Sequence, residues 1–420
     1  MDVWVAGAIF SITYALIATD RVHKTVAALM GGVLMIALGV VPQEDALAAI
    51  DLNVILLLLG MMVIANVVSQ TGVFQWIAFS AIRMARGRPW RILVALCLIT
   101  AIASAFLDNV TTVLLIAPVT LFAASALRVS PLPYLIAEIL ASNIGGAATL
   151  IGDPPNILIA SAAGIDFVTF AANMAPIAVA VFVAFLLLCR LLFRRELRRQ
   201  EDALRSIVLE ESGSITDVRL MAISVGVLLL TVVGFFLAAP LGLESATIAL
   251  LGASILFVIT GKDPAEVFAE VEWSTLIFFV GLFMVVEGVV HAGIIDAVAR
   301  AFFTATGGDV TAASIGLLWF SGVASAIVDN IPWTATMIPV ISDLAGRGVE
   351  VGPLWWSLAL GADLGGNATI IGASANVIIA ILAARAGHEI SFRRFLRYGV
   401  PVVVVSLLMS TGYLWLRYLI

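Results

Sequence analysis

The chain has 420 residues, 62% of them hydrophobic and 12% charged, with a mean hydropathy of +1.13 and a net charge of −6. A soluble domain carries about twice that share of charge, so the chain belongs in a membrane, and no basic or aromatic-interleaved patch points to nucleic acid. Cys97 and Cys189, far apart in apolar runs, suggest neither a disulfide framework nor a cysteine metal site, and no metal is expected.

Apolar runs of roughly 17–25 residues read as spanning helices. The first, at 3–19, follows a terminus (MDVWVAGAIF) without a basic region or cleavage site, so it is read as a retained span. Spans follow at 25–41, 52–70, 134–163 (broken) and 170–193. A second set lies at 218–238, 245–261, 273–290, 354–386 (broken) and 395–417. The stretches 91–127 and 309–345 are too long for one span. Each has an Asp-Asn pair near its middle and reads as a helical hairpin. The expected fold is an all-α polytopic membrane protein of two inverted repeats, each with five spans plus one hairpin and a helix broken at the midplane. The first repeat is 1–193 (scaffold spans 1–90, hairpin and broken span 91–193). A basic linker, 194–217, leads to the second, 218–420 (scaffold spans 218–308, hairpin and broken span 309–420). A hairpin adds zero or two crossings, so each repeat crosses an odd number of times and the second is inverted. With the linker in the cytoplasm, 19 of the 22 Lys and Arg lie inside, and only Arg300, Arg347 and Arg417 outside. That is the bias the positive-inside rule demands. Both termini then face outside, as does the loop 42–51 with Glu44, Asp45 and Asp51.

Two elements occur twice. IASAFLDNV at 102–110 returns as VASAIVDNI at 323–331, and IGGAATLIGDPPN at 144–156 returns as LGGNATIIGASAN at 364–376. Polar helix breakers at membrane depth are costly, so they normally line a site or a path. A duplicated pair is the pattern of a secondary transporter with its site between repeats. At the hairpin tips, Asp108-Asn109 and Asp329-Asn330 are good helix caps, so the second arms begin there and aim their positive ends into the membrane. Thr111 and Thr112 add hydroxyls, and Pro332 suits a first helical turn. In the broken spans Gly145, Gly146, Gly365 and Gly366 permit close approach and unusual dihedrals, and Pro154 and Pro155 stop the preceding helix. Asn143, Thr149, Asn156, Asn367, Thr369, Ser374 and Asn376 supply amides, hydroxyls and freed carbonyls. With the tip residues they form the candidate substrate site, although any single Thr or Gly there could serve only the broken backbone.

Four aspartates are candidates for carrying a coupled proton. Asp108 and Asp329 are kept by both repeats. Asp153 and Asp363 break the symmetry, since their counterparts are Ala373 and Asn143. A carboxyl group deprived of water holds its proton more readily, the property a coupling group needs. Glu138 and Glu287, also in apolar spans, read equally as hydrogen-bonded structural residues. No Lys or Arg lies in the tips or breaks. A multiply charged anion would want one, so the aspartates suit a proton, a cation or a neutral polyhydroxyl. No Walker A sequence is present, so the chain does not itself hydrolyse ATP. A transporter rather than an enzyme is expected, with no cofactor and the proton gradient as its energy source.

The runs AFLDNVTTVLLIAPVT (105–120), IAEILASNIGGAATLIGDPPN (136–156) and LGGNATIIGASANV (364–377) resemble the ion transporter superfamily, most closely its branch of arsenite efflux permeases and the melanosomal P protein. The resemblance covers nearly the whole chain. It implies a scaffold of the first three spans of each repeat and a transport unit of hairpins and later spans that moves as an elevator. It further implies proton-coupled export of arsenite or antimonite across a bacterial inner membrane. Arsenite near neutral pH is an uncharged trihydroxide that Asp, Asn and Thr can hydrogen-bond. One charge moved across 100 mV is worth about 2.3 kcal/mol. Other branches offer two alternatives, a Na⁺/H⁺ (monovalent cation) antiporter and an inorganic or organic anion transporter. The partners implied are a small inorganic substrate, the lipid bilayer, a second copy of the chain in a homodimer, and a cytoplasmic ATPase.

Overall fold

The computed structural model describes residues 2–19, 21–85, 88–127, 129–198 and 215–420. Most of the expected linker (199–214), with Arg199 and Arg205, lies outside the described residues, as do Arg86 and Arg128. The described residues are helical, with no strand. In the first half they form α1 (Asp2–Thr19), α2 (Lys24–Ala37), α3 (Gln43–Ala48), α4 (Leu52–Gln70), α5 (Val73–Met84), α6 (Pro89–Phe106), α7 (Asn109–Ala126), α8 (Leu132–Gly146), α9 (Pro154–Ala163) and α10 (Phe167–Leu192). A further helical stretch at 194–198 follows α10. The second half repeats the order: α11 (Val218–Ala238), α12 (Ser245–Thr260), α13 (Pro264–Ala269), α14 (Trp273–His291), α15 (Ile294–Ala305), α16 (Val310–Ile327), α17 (Asn330–Gly346), α18 (Gly352–Gly365), α19 (Ser374–Arg385) and α20 (Phe392–Leu414). Eight helical segments among the described residues are long and apolar enough to cross a membrane.

Aspartate sets many of these boundaries. Asp51, Asp108, Asp166, Asp217, Asp263, Asp309 and Asp329 each accept a backbone N–H from the helix they precede. Each such cap contributes about 1 kcal/mol. The hairpins are α6–α7 and α16–α17, with two-residue turns at Leu107-Asp108 and Val328-Asp329. The broken spans are α8–α9, and α18–α19 with two single 3₁₀ turns between. Four helices went unread in the sequence: the six-residue α3 and α13, and α5 with its counterpart α15. The latter two are 12 residues each and amphipathic, burying Val73, Phe74, Ala78 and Ile82 in one, Ile295 and Ala299 in the other. They are too short for a span and fall between runs that hydropathy does detect.

Packing between the halves is reciprocal. α2 packs on α14 as α12 packs on α4, and α7 packs on α19 as α17 packs on α9. Such exchange of equivalent surfaces is what a two-fold relation produces. Small residues allow it, as they do where lipid offers no hydrophobic drive. A Cβ on Gly281 would lie 2.4 Å from the backbone nitrogen of Leu29, and one on Gly60 would lie 2.8 Å from the backbone of Ala249.

The glycine pairs of the breaks follow the same logic. A Cβ on Gly145 would come 2.2 Å from the carbonyl oxygen of Ala101, and one on Gly365 would come 2.4 Å from that of Gly322. Gly146 and Gly366 face the carbonyls of Gly152 and Gly372 at 2.7 and 2.8 Å. The expectation of unusual dihedrals at these four is corrected: none has positive φ, and close approach alone demands glycine. Gly365→Val should therefore lower stability by at least about 3 kcal/mol, because backbone cannot yield as a side chain can. Gly316→Ala in α16, where a Cβ meets open space, should be neutral or slightly stabilising. Thermal unfolding of the two purified variants checks the pair.

Candidate functional site

Both hairpin tips converge on one carboxylate. Asn109, the first residue of α7, donates from Nδ2 to Asp153 Oδ2 at 2.8 Å, and Asn330, the first residue of α17, donates to Asp153 Oδ1 at 3.2 Å. Asp153 is 1% exposed. It caps the break before α9 in extended conformation (φ −143°, ψ 137°), and Ala373 before α19 has the same one (φ −153°, ψ 146°). The breaks thus share a backbone and differ in the side chain at that point. Asn143 links them: its Nδ2 donates to Asn367 Oδ1 at 3.0 Å and to Asn376 Oδ1 at 2.9 Å. Its repeat counterpart, Asp363, is fully buried, and by donor–acceptor geometry neither carboxyl oxygen accepts a hydrogen bond among the described residues. The amide of Asn156 stands beside Asp363, but its nitrogen is committed to the carbonyls of Gly146 and Thr149 at 3.2 and 3.1 Å. A buried carboxylate without donors is tenable only as the neutral acid or beside a cation.

Several residues placed in the site by sequence hold the breaks together. Asn376 donates to the carbonyls of Gly366 and Thr369, both at 2.8 Å, in the manner of Asn156. Thr149 donates to the carbonyl of Ala105, and Thr369 to that of Ala326, which ties each break to the first arm of its hairpin. Thr111 donates to its own cap, Asp108. Thr112 Oγ1 and Asn367 Nδ2 are buried without a partner among the described residues. Glu138 takes the hydroxyl of Thr120, between α7 and α8.

Lys24 was missed. The sequence shows no cation in either motif, yet Lys24, from the start of α2, places Nζ 2.6 Å from Ser374 Oγ and 3.4 Å from Asp329 Oδ2. Ser374 in turn donates to Asp329 at 3.0 Å. The inference that the site lacks positive charge is corrected: the charge arrives from a helix some 300 residues away. A signal was present. Lys24 is one of only two lysines, and it begins a helix, where the dipole disfavours a cation, so it needed an acidic partner.

This constellation walls a cavity of about 350 Å³ together with Val110, Glu272 and Thr275. A second cavity, about 370 Å³, lies by the opposite scaffold ends, where Asn53, Val54 and Ser245 face Ile157, Ala160 and Ser161 of α9. There Ser161 donates to Asp51. Burial, then the charge of Asp108, push Glu272 up to about 7, against smaller lowering by Thr275 and Lys24. Glu272 is accordingly neutral below about pH 7 and anionic above. Entry of an anionic solute at this mouth should fall as pH rises through that value, whereas entry of an uncharged solute should not. Glu272→Gln should remove the inflection, read from initial uptake rates across pH 6 to 8.

The profile of a family described as citrate transporters matches residues 14–361. An uncharacterized transporter of Mycobacterium tuberculosis is 45% identical over 424 residues, covering 99% of each chain. The P protein of Homo sapiens is 36% identical over 505 residues, covering 100% of this chain and 60% of that one. Among solved structures, the YdaH transporter of Alcanivorax borkumensis superposes with a TM-score of 0.62 at 15% identity, covering 99% of this chain and 98% of that one, a likeness of fold. The chain belongs to this citrate transporter family, within the ion transporter superfamily that its motifs resemble.

Proposed function

Membership of a membrane transporter family is the premise, and from it we propose a proton-coupled secondary active transporter that exports arsenite or antimonite. In this reading the hairpins and broken spans (91–193 and 309–420) move as an elevator against scaffold spans 1–90 and 218–308. The two halves are inverted repeats in a bacterial inner membrane. The observation that carries the reading is the pair of buried carboxylates at the breaks. Asp153 is held by two amide donors, and Asp363, close enough to feel its charge, has none among the described residues. Two neighbouring buried carboxyl groups that differ in their hydrogen-bond donors are an arrangement that proton exchange can use. An uncharged trihydroxide could replace the amide contacts of Asn109 and Asn330 without a balancing charge.

A second reading, an inorganic or organic anion transporter, is favoured by Lys24 against Asp329 and Ser374 and by the description of the family. A monovalent cation antiporter uses the same aspartates. Everted vesicles given arsenite, Na⁺ or citrate under an imposed pH gradient separate the three. Gradient-driven uptake of arsenite alone is expected. Uptake of citrate with indifference to arsenite would overturn the first reading in favour of the second, and Na⁺ movement in favour of the third.

A further inference from the structure

A basic cavity lies away from the helix breaks, between the start of α6 and the end of α10. Its volume is about 670 Å³, and Arg88, Arg91, Arg190, Arg194 and Arg198 line it with Trp90. None of the described residues lining it is acidic. The nearby acid in the sequence, Glu196, is turned away and accepts the hydroxyl of Tyr398 at 2.6 Å. The arginine-bearing turn is fixed in place, because Phe193 stacks on Tyr398 with ring centroids 4.4 Å apart. Arg190 lies over the ring of Trp90 at 6.0 Å. The cavity is continuous with an apolar flank, since Leu187 and Leu191 of the same helix are 64% and 70% exposed. Five guanidinium groups with no acidic partner among the described lining residues repel one another, and the planar fork of each matches a phosphate. Trp at this position marks the depth where headgroups meet acyl chains.

We infer that this cavity is a binding site for an anionic phospholipid, its phosphate held by the arginines and its acyl chains lying along Leu187 and Leu191. Free phosphate satisfies the arginines but leaves the leucine flank uncovered, so the lipid is the occupant that accounts for both halves of the site. The site joins the first arm of a hairpin to the helix that leaves the broken span, so the bound lipid would couple the bilayer to the segment that bears the breaks.

The test uses the purified full-length protein exchanged against vesicles of phosphatidylcholine, with or without diphosphatidylglycerol, and native mass spectrometry to count retained lipids. The wild type should retain diphosphatidylglycerol in preference to phosphatidylcholine. Each arginine near an anionic headgroup is worth roughly a fivefold change in affinity. Arg194→Gln/Arg198→Gln should therefore lower retention by roughly 25-fold, and Arg385→Gln/Arg393→Gln, outside the cavity, should not. Equal retention by the two double variants would overturn the site. So would equal retention of phosphatidylcholine by the wild type, a comparison that needs no variant to fold. Displacement of the lipid by inorganic phosphate at matched concentration would reassign the cavity to a free anion.

Discussion

Asp153→Asn combined with Asp363→Asn should leave a protein that passes cargo down its gradient but no longer accumulates it in response to a proton gradient. Asparagine mimics a carboxyl group that never releases its proton, so binding survives and exchange does not. For one proton exchanged against one uncharged cargo, the wild type should accumulate about tenfold per pH unit, and the double variant should stay near unity. The single changes are unequal. At Asp153 the new NH₂ faces one of the amide donors of Asn109 and Asn330, so one hydrogen bond is lost, at about 1–3 kcal/mol. At Asp363 no hydrogen bond is lost, since none is made among the described residues. Asp363→Asn should thus uncouple with little loss of stability, and Asp153→Asn should uncouple and destabilise. Vesicle accumulation ratios with and without the gradient, beside melting temperatures, read both effects. Full gradient-dependent transport in both single variants would move the proton elsewhere, first to Asp108, Asp329 or Glu138.

The second large effect is expected at Lys24. Its ion pair with Asp329 is partly shielded, with side-chain exposures of 26% and 14%. Stripping one partner from a fully buried pair is destabilising by about 3–5 kcal/mol. Solvent at this mouth reduces that, and about 1–2 kcal/mol is expected for Lys24→Met. The effect on transport should be larger, at least tenfold. Asp329 then stands uncompensated at the hairpin tip, and Ser374 loses its 2.6 Å contact at the start of α19. Adding Asp329→Asn should restore the melting temperature without restoring transport. Recovery of both by the double variant would make the pair a structural clasp. Wild-type uptake by Lys24→Met alone would remove Lys24 from the site.

What the sequence disclosed was local. The hairpins are legible because Asp-Asn caps interrupt apolar runs at a recognisable place, and the breaks because Gly-, Asn- and Thr-rich stretches, with Pro154-Pro155 in the first, interrupt apolar runs twice. The repeat itself was legible as text. What escaped depends on three-dimensional neighbours. Lys24 and Asp329 are separated by 305 residues, and no periodicity relates them. Asn156 and Asn376 have the composition of ligands, but each amide is occupied by two carbonyls of its own break. Only the path of the backbone decides that. The glycine pairs seemed to need special torsions, because the carbonyls of Ala101 and Gly322 pressing on them are invisible in a one-dimensional string.

Under the proposed elevator reading, the two cavities beside the scaffold would give a measure of travel. Their scaffold walls are equivalent through the repeat, Lys24 standing for Ser245 and Thr275 for Val54, each pair 221 residues apart. The opposing walls are not equivalent. One scaffold end meets the very start of α19 at Ser374, and the other meets α9 at Ser161, seven residues beyond the matching start at Pro154. Seven residues of helix at 1.5 Å each are about 10 Å. If the halves trade conformations, α9 retreats by that stroke until Pro154 lies beside Ser245, while α19 advances by the same amount past Lys24. Under the proposed elevator reading, the two halves would stand at opposite ends of one such stroke.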